Sequence, residues 1–197
     1  MFGYFTVQSN IMVLVYLLLE TALLLHRRRK ASAGLRGSSS GALRAAASDE
    51  GDPDGGSASL LPSGLHGGVL LYILITGLVF NTMLAPSVES SGYDFLVIHL
   101  NHSITPLLFF LDWLVNRPRG SHHWHQLGVW LIYPVGYALF ASLEGAAGGN
   151  FRYFFLDFTQ PPAAYLAQII SVVGIFVLAA WVIIFINRRI VPERHGD

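Results

Sequence analysis

Apolar residues in this chain fall into five blocks of about twenty, divided by short polar stretches. Blocks of that length match the ~20 residues a helix needs to cross hydrocarbon. The pattern predicts an all-α, polytopic transmembrane helical bundle in one integral membrane domain over 1–197. Its spans are expected at about 2–25, 68–85, 95–115, 127–143 and 163–186. The second and fourth are the shortest and carry Gly, Thr or Pro, so both are expected to pack closely against partner helices. The first is expected to be a retained span rather than a cleavable leader, because no basic residue precedes it and its charges, His26-Arg27-Arg28-Arg29-Lys30, follow it.

Between the first two blocks, the stretch 31–67 is rich in Gly, Ser, Ala, Asp and Pro. Such a composition cannot bury enough apolar area to fold, so 31–67 is expected to be a disordered linker.

Charge adds an orientation. Twelve basic and twelve acidic residues cancel, and the basic ones gather at helix ends without the concentrated basic face of a nucleic-acid binder. If the segment after the first span is cytoplasmic, only Arg152 of the twelve basic residues lies outside and the other eleven lie inside. The reverse topology breaks the positive-inside rule almost completely. On this reading 26–67, 116–126 and the C-terminus are cytoplasmic, while 86–94 and 144–162 are extracytoplasmic. The chain has no cysteine, which excludes disulfides and thiolate chemistry.

Several polar groups interrupt the apolar blocks. Thr6, Ser9 and Asn10 share a face at the start of the first span, with Gln8 to one side. Thr76, Asn81 and Thr82 lie on the second. His99, Asn101, His102 and Ser103 lie near the start of the third. Polar side chains are costly in a membrane and point to a site. With 1.5 Å of rise per residue, Thr6 lies roughly 6 Å along its helix from Phe2, and His102 roughly 10 Å from Phe95. The orientation puts both near the outer face. A hydroxyl beside a histidine can act as a nucleophile with its base, and Asn or Ser donors can steady an oxyanion. The plainer alternatives are a Thr6 bonded to its own helix and a His102 in a structural interhelical hydrogen bond. A histidine-ligated metal or haem is a third alternative, short of ligands: no cofactor and no metal is expected.

The other polar features read as architecture. His122, His123 and His125 are expected in a solvated loop facing lipid headgroups, and His26, His66 and His195 as flanking residues. Asp112 is expected to pair with Arg117 or Arg119 at the inner end of the third span, fixing topology together with Trp113. Asp157 is a carboxylate that can orient a histidine at the outer mouth. The aromatic residues of 144–162 suit a membrane-interface belt.

Six stretches together resemble one family: Tyr4-Phe5-Thr6-Val7-Gln8-Ser9-Asn10, His99-Leu100-Asn101-His102, Leu111-Asp112-Trp113-Leu114, Arg117-Pro118-Arg119-Gly120, Tyr133-Pro134 with Tyr137, and Tyr153-Phe154-Phe155-Leu156-Asp157. In order and spacing they resemble the androgen-induced membrane protein family, above all its bacterial branch, over nearly everything but the linker. The resemblance implies hydrolysis of fatty acid esters of hydroxy fatty acids, or of similar membrane lipid esters, in a bacterial cytoplasmic membrane. It implies Thr6 as nucleophile and His102, the second histidine of the pair, as base. His99, Asn101, Ser9, Asn10, Asn81 and Asp157 would support them, with Asp112, Trp113, Arg117, Arg119, Tyr133 and Pro134 structural. Two departures stand out. The family usually has six spans, and the helix ahead of the threonine-bearing one is not in this sequence. It also more often has a proline among the aromatics at Tyr153-Phe154-Phe155. The alternative to an enzyme is a non-enzymatic membrane protein: a lipid binder, a transport component or an assembly partner.

Overall fold

A computed structural model describes residues 4–37, 60–116 and 122–190. The chain is an all-α membrane protein with five long apolar helical spans. Helix α1 covers Phe5–Gly37. Helix α2 covers Ser63–Val79 and runs into a π-helical turn, Phe80–Leu84. The third span is built in three pieces: α3, Gly92–His99; a π-helical turn, Leu100–Ile104; and α4, Thr105–Val115. Helix α5 covers His125–Gly148 and α6 covers Pro162–Ile190. Leucine, isoleucine and valine side chains stay exposed along α1, α5 and α6, including Leu18, Ile132, Leu143 and Ile170. An apolar exterior of that extent suits lipid as solvent.

The helices outlast the apolar blocks that predict them. Of the stretch 31–67, residues 31–37 continue α1 and 63–67 already belong to α2; the part at 38–59 lies outside the described residues. The reason at the second end is local. The Glu20 carboxylate, on α1, accepts the backbone N–H groups of Leu60 and Leu61 at 2.5 and 3.2 Å. An anion placed just ahead of a helix start complements its free N–H groups.

Helix α2 is the hub. It packs against α1, α4, α5 and α6, and 61% of its most apolar stretch is buried, against 11% to 28% in the other four spans. A helix apolar all round is stable only when enclosed. The expectation of close packing therefore holds for the second span, whereas α5 turns most of its surface outward. Glycines let neighbours approach α2. A Cβ on Gly67 would stand 2.6 Å from the Trp130 ring, and one on Gly77 2.9 Å from the His102 carbonyl oxygen.

Two prolines inside spans create acceptors that α2 satisfies. A proline lacks the N–H that would bond the carbonyl four residues earlier. Pro106 thus releases the carbonyl of His102, which accepts Asn81 Nδ2 at 3.2 Å. Pro134 releases that of Trp130, which accepts the Tyr72 hydroxyl at 3.0 Å. In a membrane an unsatisfied carbonyl costs several kcal/mol, so these two side chains fix how the third and fourth spans seat on the hub.

Candidate functional site

The first turn of α1 meets the broken middle of the third span. Thr6 Oγ1 lies 3.1 Å from His102 Nε2. The other imidazole nitrogen, Nδ1, is 2.9 Å from the carbonyl oxygen of Ile98. A carbonyl only accepts, so Nδ1 carries the proton and Nε2 presents its lone pair to the threonine hydroxyl. His102 sits in the π-helical turn Leu100–Ile104, where the widened helix rearranges the backbone bonding. Such turns recur at functional sites. A second π-helical turn, at the end of α2, faces it, and its Phe80 stacks on the His102 ring at 4.0 Å.

The surrounding polar residues hold this pair in register. Ser9 Oγ donates to the carbonyl of Thr6 at 3.0 Å and lies 2.8 Å from Thr76 Oγ1 on α2. Asn10 Nδ2 reaches the carbonyls of Thr6 at 2.8 Å and Asn101 at 3.3 Å. Asn101 donates its own amide to Val97 at 2.7 Å, which turns that side chain along its helix. Asn81 donates to the carbonyl of Gly77 at 2.8 Å and to Ser103 Oγ at 3.3 Å. These amides and hydroxyls are spent on interhelical or local backbone bonds.

His99 points elsewhere. Its ring packs on Phe95 at 4.1 Å and lines a cavity of about 430 Å³ with Phe80, Val88, Glu89 and Ile98. Phe80 is therefore the wall between that cavity and His102. Among the described residues Asp157 is paired with no histidine: its carboxylate accepts the Thr159 N–H at 2.9 Å and hydroxyl at 2.5 Å, closing a local turn. Tyr133 donates to Gln8 Oε1 at 2.5 Å, and Pro134 acts through Trp130 as described above.

The aromatic loop supplies what the sequence pattern left unassigned. The N–H of Phe5 donates to the hydroxyls of Tyr137 and Tyr153 at 3.1 and 3.2 Å. The first N–H groups of any helix lack partners within it, and here two phenols from α5 and the following loop fill that need. Tyr4, Phe5, Tyr133, Tyr137 and Tyr153 form a run of ring contacts around the head of α1. The sequence-level signal was the aromatic density of the loop, which carries no information about where the hydroxyls point.

A second polar cluster lies at the other end of the bundle and corrects two sequence expectations. His66 is fully buried rather than flanking, because α2 begins at Ser63 and carries it inside. It stacks on Tyr16 at 4.6 Å, with Nε2 3.8 Å from Asp112 Oδ2. Asp112 also accepts Asn116 Nδ2 at 2.6 Å; Arg117 and Arg119, its expected partners, lie outside the described residues. His122 is fully buried rather than solvated. Its backbone N–H donates to Asn187 Oδ1 at 2.5 Å, and its ring packs between Trp113 and Trp130. His123 and His125 are the exposed members of that trio.

Burial, the largest cause, pushes His122 down to about 4, and the neighbouring His123 adds to the shift. The folded protein therefore holds this ring neutral. Its contribution to stability is intact above the unfolded value near 6.5 and is lost as pH falls from ~6.5 towards ~4. Thermal unfolding in detergent should show wild type losing more stability across that window than His122→Phe, which has no proton to take up. Parallel curves would remove the assignment.

Compared with protein-family models, with curated proteins and with solved structures, the chain matches none.

Proposed function

We propose that this five-span membrane protein hydrolyses lipid esters, with Thr6 as nucleophile and His102 as its base. The observation that carries the reading is the 3.1 Å contact between Thr6 Oγ1 and His102 Nε2, with Nδ1 committed to Ile98. A nucleophile, a base with a free lone pair and an acceptor that orients the base make up the minimal constellation for acyl transfer. The resemblance of the six sequence stretches to the androgen-induced family points the same way. In this reading one part of the ester occupies the 430 Å³ cavity beyond Phe80, and the charge bias of the loops puts the site towards the outer leaflet.

The reading is tested on purified protein in detergent with a fluorophosphonate probe, followed by mapping of the labelled residue. Wild type should label at Thr6 and Thr6→Ala should not. Labelling that persists in Thr6→Ala sinks the assignment.

A second reading asks less of the molecule: a non-enzymatic membrane protein in which the same pair is a helix fastener. It is favoured by the network around the pair, where Ser9, Asn10, Asn81 and Asn101 all serve interhelical or local backbone bonds. It predicts a folded wild type without any Thr6-dependent labelling.

A further inference from the structure

The cavity next to His102 has a lining whose chemistry narrows what it can hold. It shares two walls with the base. The Phe80 ring stacks on His102 at 4.0 Å, and the Ile98 carbonyl meets His102 Nδ1 at 2.9 Å. Its volume, about 430 Å³, falls in the range of small-molecule sites, roughly 300–1,000 Å³. The polar groups come from other places. Glu89 and Ser90 stand in the connection between α2 and α3, past the 3-10 turn Ala85–Ser87, and His99 supplies a third. Glu89 is exposed, so the cavity runs from an apolar wall at the base to a carboxylate at the end of the spans.

Two arguments sort the halves of an ester at such a site. The first is solvent. An acyl chain is at ease in hydrocarbon, and Leu96 and Leu100 leave an apolar surface on the third span for it. The alcohol half, if polar, belongs at the end of the spans, where Glu89 and Ser90 stand. The second is charge. An ionised glutamate only accepts hydrogen bonds, a serine donates and accepts, and a neutral imidazole does one of each. Hydroxyl groups satisfy all three. A carboxylate would meet the like charge of Glu89, and the described lining contains neither Lys nor Arg to offset it.

We propose that this cavity holds the alcohol half of the substrate, and that Glu89 selects a hydroxyl-bearing alcohol, as in a glycerol monoester, against one that ends in a free carboxylate. This rests on the hydrolase reading above and names the substrate class of that same site. Discrimination comes from a repulsive element as much as from an attractive one: the carboxylate accepts a hydroxyl and disfavours an anion. The class so defined excludes esters of hydroxy fatty acids, whose alcohol half carries a carboxylate of its own.

The test uses the full chain in detergent with two octanoate esters that differ at one group. Ethylene glycol monooctanoate ends in a hydroxyl, and the octanoyl ester of glycolic acid ends in a carboxylate. Rates are read at about pH 8.5, above the ordinary imidazole range. The quantity compared between variants is the ratio of the two kcat/KM values, hydroxyl ester over carboxylate ester, in which the intrinsic reactivity of each ester cancels. Glu89→Gln keeps an acceptor and removes the charge. It should lower the ratio about tenfold, the effect of one like charge a few ångströms away near a protein surface, and Glu89→Lys should lower it further. A ratio that rises, or that stays within about threefold of wild type in both variants, overturns the proposal and leaves the hydrolase reading standing. So does Thr6-dependent fluorophosphonate labelling without turnover of either ester. Absence of both labelling and turnover overturns the hydrolase reading as well.

Discussion

Replacing His102 with glutamine is expected to lower ester turnover by about 10²- to 10⁴-fold, the usual contribution of a positioned general base. Glutamine is chosen because it separates chemistry from architecture. Its amide can still accept the Thr6 hydroxyl and donate towards Ile98, which in wild type lie on Nε2 and Nδ1. It cannot take a proton. If the pair serves catalysis, His102→Gln keeps its melting temperature and loses turnover of p-nitrophenyl octanoate. If the pair only fastens α1 to the third span, wild type shows no Thr6-dependent turnover to lose. Retention of activity within tenfold in His102→Gln would falsify the role given to the imidazole.

Trp113→Ala is expected to cost about 3–5 kcal/mol of stability, the range for removing a large buried ring from a packed interior. Trp113 is 1% exposed and is sandwiched by Phe110 at 6.1 Å and His122 at 6.4 Å. Its loss would open a cavity beside His122, whose buried ring nitrogens have no hydrogen-bond partner among the described residues. The Trp113 indole nitrogen shares that condition. Trp113→Phe therefore discards an unsatisfied donor along with part of the ring, and should cost less than half as much as alanine. Denaturant or thermal unfolding in detergent measures both. Equal losses in the two variants would show that the indole N–H, rather than the packed volume, supports this end of the bundle.

The spans were legible because hydrocarbon imposes a simple rule of length and apolarity, and each of the five blocks meets it. That Thr6 and His102 stand near the starts of the first and third spans was legible too, from their place in the apolar blocks. Their contact was not. It depends on which helices are neighbours and on a π-helical turn that rotates His102, and neither follows from composition or period. The histidines show the same divide. His66 and His122 look like flanking and loop residues by sequence position, yet both are buried, because α2 starts ahead of its apolar run and the His122 N–H is tied to Asn187 of α6.

Glycine and proline were visible as breaks in the pattern, but their purpose lay in partners far along the chain. Gly67 admits Trp130, Gly77 admits the His102 carbonyl, and Asn81 and Tyr72 answer the carbonyls that Pro106 and Pro134 release. The sequence by itself determined that this chain is a membrane bundle of five apolar helices with polar groups gathered in the first and third, since those properties follow from one-dimensional spacing. The tertiary structure alone decided that Thr6 meets His102 and that Tyr137 and Tyr153 close over the head of α1. A hydrogen bond requires two groups to converge within about 3 Å, and convergence between helices is set by packing.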